Sequence, residues 1–263
     1  VFDNVLIRAL FFLGIVFLVL LLSYLHHARA QRGLKPISRR PMPALDIMRE
    51  ALAVGAETGR AIHVSPGAGA IGSRASTVET VAGLLAAERV ASEAALNGVP
   101  VLASSGEAVA HLALRGTIRQ AYQQAGLGQD YDARNVQLLA HQDPTAYAAG
   151  VMSLYGRQRL EASQMIGSFA QEFVLIGEDG AQRDVPQVAG ATSTAALPLI
   201  YLTADRVLTG EEIYTAEAYL ARTPEPTARL LTHDVLRSVV IVVMILLFLF
   251  SVFQSVTGIS FGF

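Results

Sequence analysis

The stretch from Gly59 to Ser105, "GRAIHVSPGAGAIGSRASTVETVAGLLAAERVASEAALNGVPVLASS", holds one complete strand–helix–strand unit, and its reading decides the fold. "AIHVS" (Ala61 to Ser65) and "VPVLAS" (Val99 to Ser104) are short apolar runs bounded by glycine, proline and asparagine, the punctuation expected of strands. Between them the spacing predicts a helix from Thr77 to Leu96, opened by a capping box of Ser76 with Glu79 and closed by Asn97-Gly98. Two strands joined by a helix of this length run parallel in one sheet.

The same alternation continues on both sides. Upstream, Leu45, Met48, Ala51 and Leu52 form one face of a helix that begins at Ala44 and stops at Gly59. Downstream, "NVQLLA" (Asn135 to Ala140) reads as a third strand, and helices are predicted over Glu107 to Ala125 and Thr145 to Leu154. Beyond Tyr155, "GRQRLEAS" reads as a fourth strand, "MIGSFAQEFVLIGEDGA" as a buried helix and "VPQVAGA" as a fifth strand. The run "STAALPLIYLTADRVLTGEEIYTAEAYLAR" reads as helix, short strand and helix. Strands alternating with helices give an α/β domain over residues 44–223, a Rossmann-like, mostly parallel sheet flanked by helices.

Two apolar segments bracket this domain. "ALFFLGIVFLVLLLSYL" carries no charged side chain, and extended through Val5 it reads as a transmembrane helix over residues 5–25. The run after Arg237 reads as a second span over 236–257. Residues 26–43 form a basic, proline-containing connector. Its Arg29, Arg32, Lys35, Arg39 and Arg40, with Arg222, Arg229 and Arg237 before the second span, place the central domain in the cytoplasm and both termini outside, because positive flanks stay on the cytoplasmic side. The bilayer is therefore one expected partner. Neither apolar core contains a charged residue or histidine, so the spans read as anchors and not as an ion pathway.

Composition excludes several chemistries. Cysteine is absent, which removes disulfides, thiolate nucleophiles and cysteine-ligated metals. Lys35 is the only lysine and lies in the connector, so neither a P-loop nor a Schiff-base amine has its residue. A net charge of −2 gives no electrostatic reason to expect nucleic acid. The histidines show no metal-ligand spacing, and no metal or cofactor is expected.

Two candidate sites remain. "GAGAIG", Gly67 to Gly72, fits G-x-G-x-x-G, follows a strand and precedes a helix, so Gly67, Gly69, Gly72 and Ser76 form a candidate anion or nucleotide cradle. Against it, Pro66 removes an amide, the helix starts only near Ser76, and no acidic residue ends the second strand to hold a ribose. A flexible glycine loop fits the same residues. The second candidate is Ser65, Ser104, Ser105, His141 and Asp143, all at strand ends, yet no G-x-S-x-G elbow accompanies them. Ser104, Ser105 and Asp143 read equally well as helix caps. Thr209, Glu211 and Glu212 likewise suit the start of a helix.

The segments "GRAIHVSPG", "VPVLASS", "AYAAGVMSLYGRQRLEASQMIGSFAQEFVLIGEDGA" and "QVAGATSTAALPLIYLTADRVLTGEEIYTAEAYLAR", with the closing apolar run, resemble the DUF6754 family of bacterial membrane proteins found among Chloroflexota and related lineages. The resemblance implies an architecture and carries no catalytic residues. With no catalytic constellation, the expected role is a membrane-anchored scaffold that self-associates, or a non-catalytic subunit of a larger membrane complex. A small-ligand or nucleotide sensor using the Gly67 to Gly72 loop is the alternative, and an enzyme stands third.

Overall fold

The structure, a computed structural model, describes residues 13–22, 24, 25, 28, 42–220 and 235–245. The chain divides into two compact units, one formed by Val1–Ser38 with Arg222–Phe263 and the other by Arg39–Ala221.

In the first unit, residues 13–22 and 235–245 are helical, and Leu13, Phe17, Leu20, Val240 and Met244 on them are exposed. Among the described residues no helix is long and apolar enough to cross a membrane. The expected spans over 5–25 and 236–257 fall partly outside the described residues. The basic cluster Arg29, Arg32, Lys35, Arg39 and Arg40 lies wholly outside them, as does most of the connector.

The second unit is built on six strands: β1 (Ala61–Gly67), β2 (Val101–Ser105), β3 (Val136–Leu138), β4 (Leu160–Ser168), β5 (Gln187–Gly190) and β6 (Arg206–Leu208). Among the described residues of this unit seven α-helices accompany them: α1 (Pro43–Thr58), α2 (Thr77–Asn97), α3 (Ala108–Gln124), α4 (Pro144–Arg157), α5 (Phe173–Gln182), α6 (Leu197–Thr203) and α7 (Glu211–Leu220). The sheet order is β3-β2-β1-β4-β5-β6 and every pairing is parallel. This is a doubly wound sheet whose order reverses between β1 and β4. All seven residues of β1 are buried, as a strand covered on both faces requires.

One face of the sheet presents Ile62, Val64, Val101, Ala103, Ala162 and Val188 to α1, α2, α3 and α7. The other presents Ala61, Leu102, Leu160, Met165 and Ala189 to α4, α5 and α6. Helix α2 lies closest over the reversal point, because a Cβ at Gly83 would collide with the Ile166 carbonyl oxygen and come within 2.9 Å of the Pro66 Cα. Gly59 and Gly98 close α1 and α2 in the left-handed conformation, as the sequence leads one to expect.

Three local expectations are corrected. The expected helix from Met165 begins only at Phe173; Met165 to Ser168 extend β4, because parallel pairing with β1 and β5 claims that segment. The capping box at α2 does not form, since Ser76 makes no side-chain cap and turns its hydroxyl to the Ala70 carbonyl at 2.8 Å. Ser104 and Ser105 are strand residues, and α3 is capped by Glu107, whose carboxylate accepts the Ala110 N–H at 2.8 Å. Asp143 does cap α4, accepting the Ala146 N–H at 3.0 Å, and Glu212 accepts the Thr209 N–H at 3.0 Å at the start of α7.

Candidate functional site

In a doubly wound sheet, ligands bind beyond the carboxyl ends of the strands where the order reverses. Here that position lies beyond Gly67 of β1 and Ser168 of β4, which are partners just past a shift in the register of the two strands. The glycine stretch leaves β1 at this point and folds onto its neighbours. Ala68 donates its N–H to the Ser168 carbonyl at 3.2 Å, and Gly106 donates to the Gly67 carbonyl at 3.1 Å.

Each of the four candidate cradle residues has a defined place. Gly67 has φ +88° and a Cβ there would collide with the Ser168 carbonyl. Gly69 packs directly on the Ser168 side chain, and its Cβ would also lie 2.9 Å from the Ser76 Cβ. Gly72, at φ +102°, faces open space and donates its N–H to the Thr77 hydroxyl at 2.9 Å. Ser76 and Thr80 donate to the carbonyls of Ala70 and Gly69, at 2.8 and 3.3 Å. Two of the three motif glycines thus serve contacts inside the protein, and hydroxyls from the first turn of α2 hold the loop. Glu79 is buried in that same turn, where burial raises its carboxyl above the usual range against a side-chain hydrogen bond from Ser168 that lowers it.

The second candidate set separates. Ser65 and Ser104 join a fully buried polar network under α4, whereas Ser105, His141 and Asp143 stand apart from it. Asp143 caps α4. His141 Nδ1 accepts the Ala108 N–H at 3.3 Å. The Ser105 hydroxyl is buried with no hydrogen-bond partner among the described residues.

The network is centred on His63, in mid-sheet on β1. Its Nδ1 lies 2.8 Å from the Ser163 hydroxyl of β4 and its Nε2 lies 2.8 Å from the Ser104 hydroxyl of β2. Tyr155 donates to Ser163 at 2.7 Å and stands edge-on to the imidazole. Tyr147 lies 2.5 Å from Ser65 and 3.5 Å from Ser104, and Ser65 donates to the Ser104 carbonyl at 2.8 Å.

Counting hydrogens assigns the directions. The single hydroxyl hydrogen of Ser65 goes to the Ser104 carbonyl, so Tyr147 donates to Ser65. Ser104 can then donate to the Tyr147 oxygen, which leaves Ser104 to accept from a protonated His63 Nε2. Nδ1, now bare, accepts from Ser163, which accepts from Tyr155. Every hydrogen is used when they run Tyr155, Ser163, His63, Ser104, Tyr147, Ser65. With the proton on Nδ1 instead, Ser163 would have to donate to the Tyr155 oxygen and Tyr155 to the Met165 sulfur at 3.5 Å, a weaker acceptor than a hydroxyl.

Burial pushes His63 down to about 3 and Tyr147 up to about 12, and it raises Tyr155 as well. The network is uncharged across the physiological range, and His63, Ser104 and Ser163 have no exposed surface. It cannot meet a substrate, and it holds three strands and α4 in one arrangement. Its far end reaches the glycine loop, where Ser65 accepts the Gly67 N–H at 3.0 Å.

The sequence reading missed His63 as a centre and missed Ser163, Tyr147 and Tyr155 as its partners. A signal was present: His63 and Ser65 alternate with Ile62 and Val64, so one face of β1 is polar although the strand is fully buried. Among the described residues no group of three or more His, Asp or Glu is placed to hold a metal ion.

No curated protein and no solved structure matches the chain. The family model described as "Domain of unknown function (DUF6754)" matches residues 2–261, nearly the whole chain. The chain belongs to the DUF6754 family.

Proposed function

We propose that this chain is a membrane-anchored protein whose α/β domain self-associates as a scaffold, or serves as a non-catalytic subunit of a larger membrane complex. The observation that carries the reading is apolar surface left open on both helix layers of the domain. Val78 and Val81 on α2, Val109 and Leu112 on α3, Val174 and Leu175 on α5, and Tyr201 and Leu202 on α6 are all exposed. Contiguous exposed apolar surface marks a place of contact. Of the candidate polar groups, Ser65 and Ser104 are engaged in the buried His63 network, and the glycine loop is held by the Ser76 and Thr80 hydroxyls.

Anchoring rests on the apolar segments over 5–25 and 236–257, and orientation with the domain in the cytoplasm rests on the arginine-rich flanks. A bacterial source of the Chloroflexota type belongs to the same reading. The test is the particle mass of the full chain, extracted in mild detergent, over a range of concentrations. A uniform particle holding several 28.0 kDa copies, or a fixed set of companions, is expected; a bare monomer at every concentration overturns the reading.

Position supports a second reading. The loop from Gly67 to Gly72 occupies the reversal point of the sheet, and Gly72 faces open space, so a small anion or nucleotide is the ligand to try. Calorimetric titration with inorganic phosphate, ADP and NAD tests it, and the absence of heat with all three removes it.

A further inference from the structure

In a doubly wound sheet the space above the strand ends at the reversal point is where a ligand lies, and here the chain fills that space itself. Ala68 to Ile71 lie across the ends of β2, β1 and β4. A Cβ on Gly106, just past β2, would come within 2.7 Å of the Ala68 Cβ, and one on Gly69 would collide with the side chain of Ser168, the last residue of β4. The segment also touches both helix layers. Ala68 packs on the cluster under α4, α5 and α6, and Ile71 on the cluster under α1, α2, α3 and α7.

Glycines with positive φ bracket this segment, +88° at Gly67 and +102° at Gly72, and residues 72–75 beyond it are exposed. Its outer half is held from α2 by two hydroxyl bonds to its carbonyls, Ser76 to Ala70 at 2.8 Å and Thr80 to Gly69 at 3.3 Å. Helix α2 is anchored separately, because Gly83 is packed against the backbone of Pro66 and Ile166. Lifting Gly69 to Ile71 off the sheet therefore costs two hydroxyl bonds and one aliphatic contact, while the strands and helices keep theirs.

We infer that Ala68 to Ile71 form a plug, latched to α2 by Ser76 and Thr80, whose release admits a small ligand to the reversal point. This deepens the second reading above and rests on it. Binding is then governed by the fraction of molecules with the plug open. While the closed form predominates, weakening the latch raises the affinity and the accessibility of the plug by one common factor.

Thiol labelling and calorimetry on the full, cysteine-free chain in mild detergent test this together. Ile71→Cys places a single thiol on the plug, which should react with a maleimide several-fold more slowly than that of Ser73→Cys on the exposed rim, at matched circular dichroism. Thr80→Val removes one latch and touches none of the four candidate cradle residues. It should speed labelling of the Ile71→Cys thiol about fivefold, the equivalent of one hydrogen bond. Inorganic phosphate, ADP and NAD are titrated into the parent and Thr80→Val, and the one that binds should tighten by the same factor. A thiol at position 71 that reacts as fast as one at 73, or a rate that Thr80→Val leaves unchanged, overturns the plug and leaves the ligand reading standing. Binding that Thr80→Val does not tighten has the same meaning. No heat with any of the three, in parent or variant, removes the ligand reading and the gate together, and slow labelling then marks a fixed cap. Should Thr80→Val fail to fold, Ser76→Ala, at a half-buried position, decides by the same labelling outcomes.

Discussion

At the scale of single residues, the buried His63 makes the clearest prediction. Its folded form is neutral because burial pushes its pKa down to about 3, whereas the unfolded chain carries an ordinary histidine near 6.5. The unfolded state therefore binds the extra proton as pH falls through 6.5. Stability contributed by the neutral imidazole is full above that value and lost as pH falls toward 3, with a slope of at most about 1.4 kcal/mol per pH unit. His63→Gln keeps a donor and an acceptor and removes the titration. Urea unfolding at pH 7.5 and 5.5 should show the parent losing more stability than the variant between the two; equal losses would place His63 outside that pH dependence. A second residue test concerns Gly69, whose close packing on Ser168 and Ser76 leaves no room for a side chain. Gly69→Val should cost roughly 1–3 kcal/mol or more, read as a lowered midpoint in denaturant, even with no ligand present.

At the scale of elements, helix starts and the paths of strands tell what sequence can and cannot convey. Asp143 was legible as a cap because aspartate followed by proline at N1 needs no tertiary information. Asp143→Ala should therefore cost about 1 kcal/mol, measured by thermal or chemical unfolding, and no loss would show that the Ala146 N–H finds water equally well. The starts of α2 and α3 were read correctly to within a residue, but their caps were not, because Ser76 is drawn to the loop carbonyl of Ala70, and Ser104 to the imidazole of His63, partners that only the fold supplies. The same limit explains β4. Met165 and Ile166 continue without polar alternation toward Phe169 and Phe173, and a strand buried on both faces carries no period to separate it from a helix. The strand–helix–strand unit from Gly59 to Ser105 was readable because glycine, proline and asparagine mark its ends. The polar network was not, since His63, Ser104 and Ser163 are separated by tens of residues and meet only through the parallel register of β2, β1 and β4.

At the scale of the whole molecule, the chain combines a domain that carries exposed apolar side chains with terminal segments rich in aliphatic and aromatic residues. The orientation proposed for it can be read directly, because the chain has no cysteine and a single introduced thiol reports its own surroundings without background. Ser73 lies exposed in the loop before α2, and its hydroxyl makes only a local bond to the Ala75 N–H at 3.3 Å, so Ser73→Cys should leave the fold intact. Under the proposed cytoplasmic orientation, a membrane-impermeant maleimide should leave this thiol unlabelled in intact cells and label it in inverted membrane vesicles. Labelling in intact cells would put the domain outside and reverse the orientation. Recovery of the unlabelled chain in the supernatant after a high-salt and carbonate wash would instead remove the anchor itself, since a chain held by two apolar spans stays with the bilayer when electrostatic attachment is washed away.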